Sequence, residues 1–116
     1  MALIERLKHY DLRPFPYKIH VIVTNDFDAS RQKWSRTLGS IIKDSAAAQA
    51  LTVTNGEWSE VYIFVKDTAT INEIAHEVTH AVLAFIRYIE ATIEDEMLAY
   101  YIGWLTEGIA KFVNKK

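Results

Sequence analysis

Apolar and polar positions recur along the chain with two periods, and each period predicts a different kind of element. Residues 17–24 and 58–65 alternate and are rich in β-branched and aromatic side chains, which predicts two strands. Residues 51–54 are predicted as another strand, because Asn55-Gly56 is the strongest local signal for a tight type I′ hairpin. The pattern therefore predicts a small sheet of about three strands.

A second period, with apolar residues three or four positions apart, predicts helices. These helices are expected at residues 2–10, 29–42, 71–89 and 92–114. Thr70 and Glu73 have the spacing of a capping box, which places the start of the third helix at residue 71. The predicted order is helix–strand–helix–hairpin–helix–helix, which indicates an α+β fold.

Composition predicts one soluble domain over residues 1–116, since 50% of the residues are apolar and 24% are charged. The absence of cysteine excludes disulfides and thiolate metal ligands. A net charge of -2 without a basic block argues against nucleic acid as a partner. No apolar run is long enough for a signal peptide or a membrane span, so we expect a cytoplasmic protein.

The motif IAHEVTHAV at residues 74–82 is the main candidate for chemistry. His76 and His80 are one turn apart and lie away from the predicted apolar stripe of their helix. This spacing allows two imidazole nitrogens to bind one zinc ion at about 2.0–2.1 Å. Glu77 would lie beside that ion, where it can hold a water molecule and accept its proton.

A catalytic zinc site needs a third protein ligand and an open position for water. The last predicted helix carries a polar stripe that begins at Glu96. We predict Glu96 as the third ligand, with Glu94 as the alternative. His9 and His20 are the remaining histidines and are less favoured candidates.

The same polar stripe continues through Tyr100, Gly103 and Glu107. Tyr100 is either a packing residue at the edge of the core or a hydroxyl that stabilises an oxyanion. Gly103 inside a helix predicts close approach of another backbone, with the helix of the histidine motif as a candidate. Glu107 is expected to be solvated and paired with Lys111.

HEVTH at residues 76–80, followed by EDEMLAYYIGWL at residues 94–105, resembles the gluzincin branch of zinc metallopeptidases, in particular its minimal single-domain members. The second segment is also similar to the pattern E-x-x-A-Y-x-x-G-x-L of small HExxH proteins of bacteriophages and prophages. The likeness covers roughly residues 50–112. It implies a zincin-like fold and a protein of phage or prophage origin that works in the cytoplasm of the host cell.

The resemblance also implies a site and a reaction. One zinc ion per chain would be bound by His76, His80 and Glu96, and Glu77 would be the general base. The reaction would be peptide-bond hydrolysis by a metal-activated water. Residues 50–55 would form the sheet edge above the site, where an extended peptide or protein substrate pairs as an added strand.

The main alternative is a binding protein of the same fold that has no catalytic activity. Such a protein keeps the histidine motif, with zinc as a structural element, and acts by docking to a host protein. The similarity to phage proteins supports this alternative, because many small phage proteins block partners. Equal biological activity of wild type and Glu77→Gln would favour it over the enzyme.

Overall fold

The computed structural model describes residues 2–13, 15–38, 50–53, 59–89 and 95–115. Strands and helices account for most of them. The elements are β1 (Glu5–Asp11), β2 (Lys18–Thr24), α1 (Phe27–Leu38), β3 (Ala50–Val53), β4 (Glu60–Lys66), α2 (Ile71–Ile89) and α3 (Asp95–Asn114).

The four strands form one mixed sheet in the order β1-β2-β4-β3. β2 and β4 are parallel, whereas β1 pairs with β2 and β3 pairs with β4 in antiparallel fashion. The α+β prediction is confirmed. The described residues contain four strands, however, so the prediction of about three strands was too low.

Helices cover both faces of the sheet. On β2, Ile19 and Val21 belong to the main core with α2 and α3, whereas Ile22 packs with Phe27 of α1 and with Phe64 of β4. Side chains that follow one another on a strand point to opposite faces. The sheet is therefore the middle layer, with α1 on one face and the α2–α3 pair on the other.

The first strand corrects the sequence prediction of a helix at residues 2–10. Arg6 of β1 donates hydrogen bonds to the carbonyl oxygens of Phe112 and Val113, at 2.7 and 3.0 Å. These carbonyls lie in the last turn of α3, where a helix leaves acceptors without partners. β1 also pairs with β2 along its whole length. Contacts between distant parts of the chain thus outweigh the local spacing of apolar residues.

Glu5 of β1 holds α1 against the sheet. Its carboxylate accepts hydrogen bonds from the Ser30 hydroxyl at 2.7 Å, from the Trp34 indole at 2.9 Å and from the Lys33 ammonium. Burial raises the pKa of Glu5, but these hydrogen bonds and the Lys33 charge lower it by more, so the net pKa lies below its ordinary value. The carboxylate therefore stays charged in contact with α1.

The bounds of α2 and the end of α3 agree with the sequence prediction, whereas the start of α1 differs by two residues. α2 spans Ile71–Ile89, as predicted, and α3 ends at Asn114, as predicted. α1 begins two residues before its predicted start. The predicted last residues of α1, 39–42, and the predicted first residues of α3, 92–94, lie outside the described residues. In the part of the chain that the structure describes, no helix is long and apolar enough to cross a membrane.

The capping box at the start of α2 is confirmed. The Thr70 backbone N–H donates to the Glu73 carboxylate at 2.9 Å, and the Glu73 backbone N–H donates to the Thr70 hydroxyl at 3.2 Å. Each residue thus satisfies a donor that the first turn of a helix leaves free. The cap fixes where α2 begins, and therefore where the histidine motif lies along it.

The hairpin prediction needs a correction of register. A two-residue turn at Asn55-Gly56 would place Val53 opposite Trp58. Val53 instead lies opposite Tyr62 of β4. The antiparallel pairing of the two strands is as predicted, while the turn residues themselves lie outside the described part of the chain. The observed register therefore does not fit a two-residue turn at Asn55-Gly56.

Gly103 does not mark close approach of another backbone, so that prediction was wrong. Among the residues that the structure describes, a Cβ atom built on Gly103 would meet no atom of another element within 4 Å. Five residues further along α3, a Cβ on Gly108 would lie 3.2 Å from the Tyr10 ring. The glycine that accommodates a close neighbour is therefore Gly108, and the neighbour is a side chain of β1.

This contrast gives a prediction about stability. Gly103→Ala should increase the free energy of unfolding by about 1 kcal/mol, because alanine favours a helix interior and nothing opposes the new methyl group. Gly108→Ala should stabilise less or destabilise, because its methyl group meets the Tyr10 ring. Urea unfolding of the two variants measures the difference. An equal gain in both would contradict the assigned packing of Tyr10.

Candidate metal centre

The candidate site lies on the part of α2 that faces away from the core. Ile74, Val78, Val82 and Phe85 are buried, as the apolar stripe predicts. Ile71, predicted as part of that stripe, is 65% exposed. His76 and His80 are both exposed on another side of the helix. The core thus needs neither histidine for packing.

The two imidazole rings lie together. Their Nε2 atoms are 3.2 Å apart, the ring centres are 4.9 Å apart and the ring planes meet at 75°. Two nitrogens bound to one tetrahedral zinc ion lie about 3.3–3.4 Å apart. The same separation suits a hydrogen bond between the rings. The separation of the His76 and His80 Nε2 atoms is therefore close to that of two zinc ligands.

Glu77 lies beside the pair. Its Oε2 atom is 3.9 Å from Nε2 of His76. The Glu77 side chain is only 12% exposed, whereas that of His76 is 68% exposed. The carboxylate is thus at the inner edge of the site, between the histidines and the sheet.

Thr52 of β3 contacts Glu77, which the sequence analysis missed. The Thr52 hydroxyl lies 2.7 Å from Oε1 of the Glu77 carboxylate and 2.9 Å from the Glu77 main-chain oxygen. The only available sequence signal was a threonine in a predicted strand just before the motif, which does not show what the hydroxyl contacts. The pairing depends on how α2 lies across the sheet.

β3 is an edge strand, as predicted for residues 50–55. Within the described part of the chain, Ala50–Val53 pair only with β4, and β3 stands at the end of the sheet. Residues 54 and 55 of the predicted edge lie outside the described residues. Ala50 packs into the core shared with α2, and Thr52 points the same way. The edge strand and the histidine helix are therefore direct neighbours.

No described residue completes the metal site as the structure stands. Among the residues that the structure describes, no group of three or more histidine, aspartate or glutamate side chains could hold a metal ion. Glu96 is exposed near the start of α3 and Tyr100 is 68% exposed, while Glu94 lies outside the described residues. The assignment of the third ligand to Glu96 or Glu94, and the oxyanion role of Tyr100, stay predictions.

The other two histidines lie on the opposite side of the sheet. His9 and His20 are directly opposite each other on β1 and β2. His20 stacks on the Tyr62 ring at 4.7 Å, and its Nε2 atom is 3.5 Å from a Glu60 oxygen. Because Ile19 on the neighbouring position faces α2, His20 faces away from it. Neither histidine shares a face with His76.

A groove of about 860 Å³ runs between α2 and α3. Ile71 and Ala75 form part of its α2 side. Ala75 directly precedes His76 in the sequence. Glu107 and Lys111 form part of its α3 side, where their side chains make the predicted ion pair at 2.8 Å. The hydrogen bond and charge of Lys111 lower the pKa of Glu107. The groove is thus largely apolar with one neutralised ion pair.

The described site consists of a histidine pair on an exposed helix face, a sheltered carboxylate beside it and an edge strand that contacts that carboxylate. This arrangement can bind a cation through two nitrogens and move a proton through Glu77. The chain matches no family model, no curated protein and no solved structure.

Proposed function

We propose that the protein is a minimal zincin-like metallopeptidase that hydrolyses peptide bonds with one zinc ion per chain. The observation that carries the proposal is the 3.2 Å separation of the His76 and His80 Nε2 atoms, with the Glu77 carboxylate next to them. This separation is close to the distance between two nitrogens bound to one tetrahedral zinc ion.

His76 and His80 would hold the ion, with Glu96 or Glu94 as the third ligand. Bound zinc supplies a Lewis acid that polarises a carbonyl group and makes water acidic enough to react near pH 7. Glu77 accepts the proton of the attacking water and delivers it to the leaving amine. Oε1 is engaged by Thr52, so Oε2, on the side of His76, is the oxygen that takes the proton.

The substrate would bind as an extended peptide along β3. The outer side of this strand has backbone donors and acceptors without a partner strand among the described residues, and a peptide can pair with them. Thr52 joins β3 to Glu77, so a peptide on that edge lies near the carboxylate. Phage or prophage origin and action in the host cytoplasm rest on the sequence resemblance.

The test of this function is metal-dependent cleavage. Protein stripped of metal should not degrade fluorescently labelled, denatured casein, and addition of about one equivalent of zinc should restore cleavage. A chelator such as 1,10-phenanthroline should abolish cleavage again. The measurement is the release of labelled peptides with time. Full proteolysis by the metal-free protein would refute the scheme.

One observation favours the non-enzymatic alternative. Met97, Tyr100 and Trp104 lie on one stripe of α3 and are 49%, 68% and 42% exposed. An exposed apolar stripe on a helix is a common feature of surfaces that bind other proteins. A zinc-containing protein that cleaves no polypeptide, and whose biological activity is equal in wild type and Glu77→Gln, would favour docking to a host protein.

A further inference from the structure

The hydroxyl of Thr52 has both of its acceptors on one residue. It lies 2.7 Å from Oε1 and 2.9 Å from the main-chain oxygen of Glu77. A threonine hydroxyl has a single proton to donate. That proton is therefore shared between the carboxylate and the carbonyl of the same glutamate, so a single side chain on the edge strand contacts both ends of Glu77.

This contact restricts how the carboxylate can turn. A glutamate on the surface of a helix samples several rotamers. With Oε1 held by Thr52, the second oxygen, Oε2, is directed towards His76, from which it is 3.9 Å away. The low exposure of the Glu77 side chain, 12%, agrees with a fixed orientation.

We propose that Thr52 is a positioning residue that holds the Glu77 carboxylate in the orientation needed for proton transfer. The proposal rests on the function proposed above, since it assigns Glu77 the role of base. It also means that the strand along which the peptide would bind is the strand that orients the base. Removal of outer-shell partners in metal sites typically lowers activity by about 10- to 100-fold.

A purely structural role for Thr52 is the competing explanation. Its bond to the Glu77 carbonyl could fasten β3 to α2 with no effect on the carboxylate. The two roles differ in what Glu77 contributes. A structural role, in which Thr52 links β3 to α2, needs only the main-chain oxygen of residue 77, and every substitution at that position retains this oxygen. A positioning role needs the Glu77 carboxylate.

A double-mutant cycle on metal-free protein separates these roles without any assay of activity. Thr52→Val keeps the shape of the side chain and removes the hydroxyl. Its loss of stability is measured by urea unfolding in the wild-type background and in Glu77→Ala. Positioning predicts a smaller loss in the Glu77→Ala background, because the carboxylate contact is already gone. Additive losses would overturn the proposal, whether or not the protein cleaves peptides.

Kinetics of the zinc-loaded protein complete the test. Thr52→Val should lower kcat by about 10- to 100-fold with KM and zinc content nearly unchanged. Thr52→Ser, which keeps the hydroxyl, should restore most of the rate. Unchanged kcat in Thr52→Val would overturn the proposal. If the cycle is non-additive but the protein cleaves no peptide, the Thr52–Glu77 contact is supported. In that case it is the proposed peptidase function that fails.

Discussion

Glu77→Gln should bind zinc as tightly as the wild-type protein and lose peptide hydrolysis. Glutamine keeps the size of the side chain and can still accept a hydrogen bond from Thr52. It has no basic oxygen, however, and cannot take the proton of the attacking water. We expect kcat to fall on the order of 10²- to 10⁴-fold, the usual contribution of a general base. Initial rates at saturating substrate, together with the zinc content, measure both parts of the prediction.

Glu73→Gln is the matched control for this substitution. Glu73 lies on the same helix one turn earlier and belongs to the capping box, a position that glutamine can also occupy. The control should therefore keep both stability and activity. If Glu77→Gln cleaved as fast as Glu73→Gln, the base would be another group, or the observed cleavage would come from a contaminating protease.

His80→Ala should remove the stabilisation that zinc gives to the wild-type protein. A ligand present at about 100 times its dissociation constant stabilises the folded state by about 2.7 kcal/mol, which raises Tm by roughly 10 °C in a domain of this size. His80 is exposed, so the metal-free variant should unfold at nearly the wild-type temperature. Thermal unfolding with and without zinc measures the shift. If zinc raised the Tm of His80→Ala as much as that of the wild type, His80 would not be a zinc ligand.

His9→Ala is the control, because His9 is exposed on β1 at the opposite face of the sheet. It should keep the full zinc-induced shift. Thermal unfolding with and without zinc also tests the third ligand. For this purpose the Glu96→Ala variant is compared with Glu107→Ala. Loss of the shift in Glu96→Ala alone supports the sequence prediction. An unchanged shift in Glu96→Ala would move the third ligand to Glu94 or to another carboxylate.

The parts of the structure that depend on local chemistry could be predicted from the sequence. The bounds of α2 follow from the capping box of Thr70 and Glu73 and from the apolar stripe, and the structure reproduces them. The proximity of His76 and His80 follows from the rise and rotation of a single helix. None of these features needs knowledge of another element.

The parts that depend on contacts between elements could not be predicted. Residues 2–10 have apolar positions that suit a helix, and only pairing with β2 and the bonds of Arg6 to α3 make them a strand. Close approach of another backbone was predicted at Gly103, because glycine is unfavourable inside a helix. The close contact is instead made by the Tyr10 side chain at Gly108. Such choices depend on tertiary packing, which the local sequence does not specify.

The candidate site divides in the same way. His76, Glu77 and His80 come from one helix and are brought together as the sequence predicts. Thr52 was missed, because its contact with Glu77 depends on the lateral position of β3 against α2. The third ligand depends on how α3 is oriented relative to α2, which no spacing along the chain determines.

The central claim is that His76 and His80 are zinc ligands, and the zinc content of the purified protein tests it most directly. The protein is purified without added metal, without an affinity tag that binds metal, and is analysed by inductively coupled plasma mass spectrometry. The account predicts about one zinc per chain in the wild type and almost none in a variant that carries both His76→Ala and His80→Ala. A wild-type protein that stays zinc-free even after equilibration with zinc and desalting would contradict it.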